Sequence, residues 1–416
     1  MVILMQIVDN LTKEEYINFF KKAKYNHFLQ SYEWGQSCKA KGQIPVYIGL
    51  KDDKGNIKAA CMALRRNTPL HMCYFYAPRG IIIDWEDEKL LEEFTKEMRK
   101  YLKKENAIYF KLDPGVIYQE IDEEAKPIDG GKNNYKLLDT LKRLGYKHGG
   151  FTTLFTRNQP RFTFRTNTKR PIEEIEKDMN KTYLKTVKRS YNYDLEVTDY
   201  YDTDTFYDLM TNIANKDNFN GNTKHFYETF DKEFSKEGDV HYVTIKIYPD
   251  KILDKARKEL EPIKKDLEEG KIPPKRIADT NNVIARLQKD IDTFKEYEGK
   301  YPDGLISLIL ICPKTDRAMW TLYIGNNDLA TYTFSVNRAY YEAIKYASEQ
   351  NYEFLDLFGT CGEPHTKVRN YAGIHEYKRK IGGTYTEFIG EFDLVNKPFW
   401  NFALPKLLKI YRKLKR

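Results

Sequence analysis

Five cysteines, seven histidines and the adjacent glycines Gly382-Gly383 are the first residues to weigh for chemistry in this 416-residue chain. Cys38, Cys61, Cys73, Cys312 and Cys361 form no CxxC pair, so neither a zinc knuckle nor a dithiol redox site is spelled out. Their odd number suits a reducing compartment without a disulfide framework. The histidines are scattered and no HExxH occurs, so no metal site is expected. Walker and GxGxxG loops are missing, and Gly382-Gly383 after a basic run is only a weak phosphate signal. Serine-hydrolase and papain-type signatures are absent. So is the pyrophosphate-binding loop of acetyl-CoA-dependent acetyltransferases, whose order of strands and helices this chain could otherwise match.

The composition leaves cationic and aromatic side chains as the abundant chemical material. There are 69 Lys+Arg against 61 Asp+Glu, a net charge of +8, with 32 tyrosines and 23 phenylalanines. A modest positive excess favours anionic partners such as RNA, phosphates or a membrane surface, although an ordinary lysine-rich enzyme fits equally well. The apolar share of 41% argues for a packed core, and the length allows two or three domains. Met1–Asn10 lacks a basic n-region and no apolar run reaches the roughly 20 residues that span a bilayer, which predicts a cytoplasmic chain.

The elements that must position these side chains alternate between two periods. Pro45–Leu50, Ile57–Leu64, Cys73–Tyr76 and Ile108–Leu112 read as strands punctuated by Gly, Pro and Asp turns, and Glu86–Asn106 reads as an amphipathic helix. A similar order recurs after Phe162. Helices are expected at Ile172–Ser190, Thr203–Ala214 and Ala339–Gln350, and strands at Val240–Ile247, Leu305–Cys312, Met319–Ile324 and Phe354–Leu357. The alternation predicts α/β or α+β architecture, and the similar texture of the halves suggests a duplicated domain.

Two segments differ in kind. In Lys251–Lys300 apolar residues step by threes and fours, one stripe at Leu253, Ala256, Leu260, Ile263 and Leu267 and another at Ile277, Ile284, Leu287, Ile291 and Phe294. With a break at Glu269–Pro274, this predicts an antiparallel helical hairpin, kinked at Pro262. Its lysines and arginines either solvate a coiled coil, the reading that pattern favours, or hold an RNA. The tail from Lys397 to Arg416 has seven basic and no acidic residues. Phe399, Trp400, Leu404, Leu407, Leu408, Tyr411 and Leu414 oppose Lys406, Lys409, Arg412, Lys413, Lys415 and Arg416, which fits an interfacial membrane helix or a helix docked on the protein.

Six segments taken in order resemble the FemABX family of aminoacyl-tRNA-dependent peptidoglycan-bridge aminoacyltransferases. Phe28-Leu29-Gln30-Ser31-Tyr32-Glu33-Trp34-Gly35 resembles its opening motif, with Lys39 where a lysine commonly lies. Tyr76-Ala77-Pro78-Arg79-Gly80 resembles its proline–arginine–glycine turn, and Phe110-Lys111-Leu112-Asp113-Pro114 its strand ending in Asp-Pro. Lys185-Thr186-Val187-Lys188-Arg189-Ser190 sits where the second domain begins, and Phe354-Leu355-Asp356-Leu357-Phe358-Gly359 is similar to a family strand. Gly373 to Gly383 resembles the late loop in which an aromatic–lysine pair precedes glycines. The insertion fits the longer members, which carry a helical arm there.

The resemblance implies two acetyltransferase-like (GNAT) domains, 1–160 and 161–248 with 301–393, the hairpin 249–300 inserted in the second and the tail 394–416 packed on the first. It implies transfer of an amino acid from aminoacyl-tRNA to the stem peptide of lipid II or UDP-MurNAc-pentapeptide, with no cofactor or metal and with possible contact at the inner membrane face. Lys378 matches the lysine at the reaction centre and Asp113 an acidic residue near the cleft. Lys39, Arg79, Lys224, Tyr227 and Tyr323 match substrate-binding positions. One departure is that Thr223, followed by Lys224, stands where the family often has arginine, so the diphosphate contact either passes to Lys224 or is lost. Two other classes remain open, a catalytically dead RNA-binding scaffold and an acyl-CoA-dependent N-acyltransferase.

Overall fold

A computed structural model describes residues 4–154, 158–217, 219–363, 365–367 and 369–404. Three sheets carry the fold. The first has seven strands in the order Gln6–Val8, Ile44–Lys51, Ile57–Thr68, Met72–Ala77, Ala107–Leu112, Phe392–Val395 and Tyr146–His148. All neighbours are antiparallel except Met72–Ala77 beside Ala107–Leu112, where the crossover helix Glu88–Lys104 makes a parallel pair. That helix starts because Asp87 accepts the Leu90 main-chain N–H at 3.0 Å. It buries Leu91, Phe94, Met98 and Leu102 against Phe75, Phe110 and Leu112.

The remaining two sheets meet along one short segment. Tyr323–Asn326, Leu305–Pro313, Val240–Ile247 and Glu196–Thr198 form a four-stranded antiparallel sheet. Ala318–Trp320, Phe354–Asp356, Phe162–Asn167, Thr384–Phe388 and Ile117–Glu120 form a five-stranded one. The single strand expected over Met319–Ile324 is therefore two. Thr321 N–H donates to Asp356 O (3.0 Å) in one sheet, and Leu322 N–H to Ile311 O (2.9 Å) in the other, so the chain changes sheet at that peptide. The continuous helix expected over Ile172–Ser190 is also broken. Asn180 accepts from Thr182 N–H and starts a second helix, Lys181–Ser190, packed through Tyr183 and Val187.

Two strand placements cross between the units expected from the sequence. Ile117–Glu120, within the expected first unit, pairs with Thr384–Phe388, and Phe392–Val395 returns to lie between Ala107–Leu112 and Tyr146–His148. Both crossings cut across the boundary expected at 160/161.

The helices Pro249–Glu268 and Ile277–Phe294 pack together through Ala256, Leu260 and Leu287, with Ile263, Val283, Ile284 and Ile291 alongside. The helix runs on through Pro262. Ile277 stays outside the seam, 38% exposed. At the base of the pair, Ile252, Leu253 and Phe294 are buried with Tyr193, and buried Asp290 accepts from Tyr332 Oη at 2.8 Å. After the last strand, Trp400 and Leu404 cover Met72 and Ile108. The expected basic face at Lys406, Lys409, Arg412, Lys413, Lys415 and Arg416 lies outside the described residues, as do Leu407, Leu408, Tyr411 and Leu414.

Candidate active site

Lys378 belongs to a helix, Arg369–Ile381, rather than to the loop that the family resemblance implies. Gly382 and Gly383 follow it at φ +99° and +97°, conformations that glycine alone adopts without strain. A Cβ on Gly383 would meet Arg165 O at 2.7 Å, so the pair serves close backbone packing and the C-terminal turn instead of cradling a phosphate.

The lysine is 8% exposed. Its Nζ donates to Phe358 O at 2.8 Å and Gly359 O at 2.7 Å, leaving one of three N–H groups unassigned to either carbonyl. Burial pulls its pKa down to about 8, against the opposing pull of the Asp356 carboxylate. It is still mostly a cation at neutral pH. The two carbonyls converge because Phe358 sits at φ +57° and gives its N–H to Asp356 Oδ1 at 2.8 Å. Asp356 is buried and also receives Arg165 Nε at 2.8 Å and Thr163 Oγ1 at 2.5 Å. Arg165 and Thr163 were not legible as site residues. Only Asp356 lay in a recognised motif, and nothing in the sequence said that it shapes the turn which holds the lysine.

Lys378 lines a cavity of about 450 Å3 with Tyr323, Leu310, Ile324, Val336, Tyr340 and Ile374, where the two smaller sheets part. Tyr323 is thus brought to Lys378. Tyr227 is buried behind it, the rings edge to face at 5.7 Å between centroids. Tyr227 rides on the helix Lys224–Lys236, and Thr223 is its N-cap, accepting from Phe226 N–H at 3.3 Å. The threonine that replaces the expected arginine is therefore occupied with capping. Lys224 is exposed and ion-paired with Asp204. Lys39 ends the helix Tyr32–Lys39, which packs on the Lys224 helix. It is exposed and donates to Gln36 Oε1 at 2.6 Å. Of these four only Tyr323 lines the Lys378 cavity; Tyr227 is buried behind it, and Lys39 and Lys224 are exposed on two packed helices.

Asp113 and Arg79 lie elsewhere. Asp113 is 2% exposed and lines neither the Lys378 cavity nor the one described below. It accepts Tyr76 Oη at 2.8 Å and the Arg79 main-chain N–H at 2.7 Å. That N–H belongs to a residue at φ +53°, so the carboxylate braces the proline–arginine–glycine turn. Burial raises its pKa to about 6, against the pull of Arg79. Arg79 is itself buried, donates to Pro160 O at 2.6 Å and lines a second cavity.

Among the described residues no cluster of three or more potential metal ligands occurs, and no helix is long and apolar enough to cross a membrane. The described side chains at the lysine offer a fixed cation, a tyrosine and an apolar wall. That suits stabilising a developing oxyanion away from water.

Comparison with known proteins places this chain beside four matches. The model of the FemAB family matches residues 11–409. The lipid II:glycine glycyltransferase of Staphylococcus haemolyticus (strain JCSC1435) is 28% identical over 430 residues, covering 98% of this chain and 99% of that protein. That of Staphylococcus aureus (strain bovine RF122 / ET3-1) is 26% identical over 440 residues, covering 98% and 99%. The crystal structure of FemX superposes with a TM-score of 0.75 at 22% identity, over 95% of this chain and 99% of that one, and shares the fold.

Proposed function

The chain belongs to the FemAB family, and from that premise we propose that it is a peptidoglycan-bridge aminoacyltransferase which moves an amino acid from aminoacyl-tRNA to the stem peptide of lipid II. The relatives' names make glycine the first amino acid to test. The observation that carries the reading is the buried Lys378, its Nζ fixed on two carbonyls beside Tyr323 in an apolar cavity.

In the reaction a neutral acceptor amine attacks the carbonyl carbon of the ester. A C–N bond forms, the ester C–O bond breaks, and the tRNA ribose oxygen leaves as a hydroxyl carrying the proton lost by the amine. The ester supplies the driving force, so the step calls for neither ATP nor metal. Lys378 meets the negative charge that develops on the carbonyl oxygen with the N–H not given to Phe358 or Gly359. The apolar wall of Leu310, Ile324, Val336 and Ile374 keeps water from the ester. Lys39 and Lys224, both exposed, suit the acceptor's diphosphate, and Tyr323, backed by buried Tyr227, suits the approach to the amine.

The test mixes purified protein with lipid II and tRNAs charged singly with glycine, alanine or serine. Mass spectrometry of the acceptor should show the addition of one amino-acid residue from one of them. An unchanged acceptor with all three, under conditions where the charged tRNAs survive, would sink the proposal.

A further inference from the structure

Arg79 lines a second cavity, about 310 Å3, whose wall includes Arg165, His27, Trp320, Ile81 and Ile82. Its charges are unevenly paired. At the rim Arg317 is held by Glu353 (2.7 Å) and Lys24 by Glu86 (3.2 Å), while Arg165 is held from behind by Asp356. Among the described residues the Arg79 guanidinium has no ion pair. Asp113 acts on it through space but spends its oxygens on Tyr76 and on the Arg79 main chain. Yet Arg79 is only 7% exposed, and a buried charge ordinarily has a partner.

Further observations point to a missing anion. Arg79 Nε and Trp320 Nε1 are N–H donors shut off from solvent and, among the described residues, without hydrogen-bond partners. The guanidinium carbons of Arg79 and Arg165 lie 4.1 and 4.8 Å from the centroid of one ring, Phe388, so two like charges are held close together. His27 accepts Leu29 N–H on Nδ1 (3.1 Å), and burial beside the two arginines keeps the ring neutral with its proton on Nε2.

We propose that this cavity holds the free carboxylate that ends the acceptor's stem peptide, while the acceptor's amine lies at Lys378. The inference rests on the transferase reading above. A planar monoanion matches the fork of a guanidinium that lacks an ionic partner, and apolar walls at Ile81, Ile82 and Val116 suit short peptide side chains. A phosphate dianion would keep a charge uncompensated in the same walls. The two cavities are also near neighbours. Pro160 lines the Lys378 cavity, and its carbonyl is the group that Arg79 grips at 2.6 Å. One acceptor with an amine on one residue and a carboxylate at its end would span that Arg79–Pro160 contact to reach both.

The experiment titrates the full chain with acetyl-alanyl-alanine of either hand, with its C-terminal amide and with inorganic phosphate, following tryptophan fluorescence and calorimetry without any tRNA. The acid in one hand should bind and the amide should bind roughly tenfold more weakly or not at all. Arg79→Gln should lose the acid to a similar extent, and Lys132→Glu, an exposed change at the rim, should weaken it several-fold if the buried variant does not fold. Equal binding of acid and amide, preference for phosphate, or no binding of the acid at millimolar concentration would each overturn the proposal. Because no donor is present, a protein that binds the acid but transfers nothing keeps this site and loses the transferase reading. A protein that transfers normally but ignores the acid loses only the site.

Discussion

At the scale of single residues, the arrangement around Lys378 makes its charge conditional on pH. Burial brings its pKa to about 8, below the roughly 10.4 of a free lysine, so the cation fades as pH rises through that value. The acceptor amine has the opposite need, since it must lose its proton to attack. Transfer should therefore rise with pH and then fall above about 8. Lys378→Arg should abolish the alkaline fall if it retains activity, because a guanidinium stays charged. Lys378→Met should lower turnover by about 100- to 1,000-fold with the fold intact. Single-turnover rates across pH 6–10 check both, and an alkaline limb unchanged in Lys378→Arg would remove the lysine's charge from the mechanism. Asp113 leads to a different expectation. Its folded pKa of about 6 exceeds the ordinary value near 3.9, so its contribution to stability is greatest at low pH and is lost as pH rises through about 6. Asp113→Asn disturbs the bonds to Tyr76 and Arg79 N–H and should cost about 1–3 kcal/mol. The deficit against the parent should widen as pH falls from 7 to 4 in urea titrations. Near-normal transfer by the folded variant would mark Asp113 as a brace, and a loss of turnover without loss of stability would restore it to the chemistry. The sequence supplied both residues through family motifs. It did not supply Arg165 or Thr163, because their contacts with Asp356 join strands far apart in the chain, nor the left-handed turn at Phe358.

At the scale of elements, legibility followed the range of the forces. Strands such as Val240–Ile247 and the helix Glu88–Lys104 were readable from alternation, apolar period and Asp87 capping, which are local. The break at Asn180, the change of sheet at Thr321 and the helical state of Lys378 were not; at Thr321 hydrogen bonds to strands distant in the chain decide the outcome. The paired helices 249–268 and 277–294 separate the two cases cleanly. Their seam at Ala256, Leu260 and Leu287 was readable, whereas Asp290 buried under Tyr332 at the base was not. That base ties the pair to the body while much of its charge stays exposed, a geometry suited to meeting tRNA. Replacing 262–282 by a short glycine linker keeps Ile252, Leu253, Asp290 and Phe294 in place. If the arm contacts tRNA, the variant should bind charged tRNA more weakly, with a shallower dependence on salt in filter-binding or anisotropy measurements. Equal affinity and equal salt slope would return the arm to a solvated coil.

At the scale of the whole molecule, the two strand crossings couple regions that the sequence presents as separate. Ile117–Glu120 closes the edge of the five-stranded sheet, and Phe392–Val395 fills an internal position of the seven-stranded one. A fragment ending at residue 160 would leave Ala107–Leu112 and Tyr146–His148 without the strand between them. Such a fragment should fail to give a cooperative urea transition, and a cooperative one would show that the first sheet folds without its borrowed strand. The same return of the chain sets the launch point of the tail. Trp400 and Leu404 seat on Met72 and Ile108, while Phe399 and Phe402 stand 70% and 66% exposed just before the six basic residues that follow Pro405. Exposed aromatic rings followed by lysines favour adsorption to an anionic bilayer, at about 1 kcal/mol per basic residue near the surface. Ending the chain after Leu404 spares the packed side chains and removes that charge. The shortened protein should no longer sediment with phosphatidylglycerol vesicles at physiological salt, yet should still aminoacylate a soluble nucleotide-linked acceptor. Full sedimentation of the shortened protein would move the membrane contact, if any, to another face. Loss of both sedimentation and folding would make the tail a structural element docked on the first sheet.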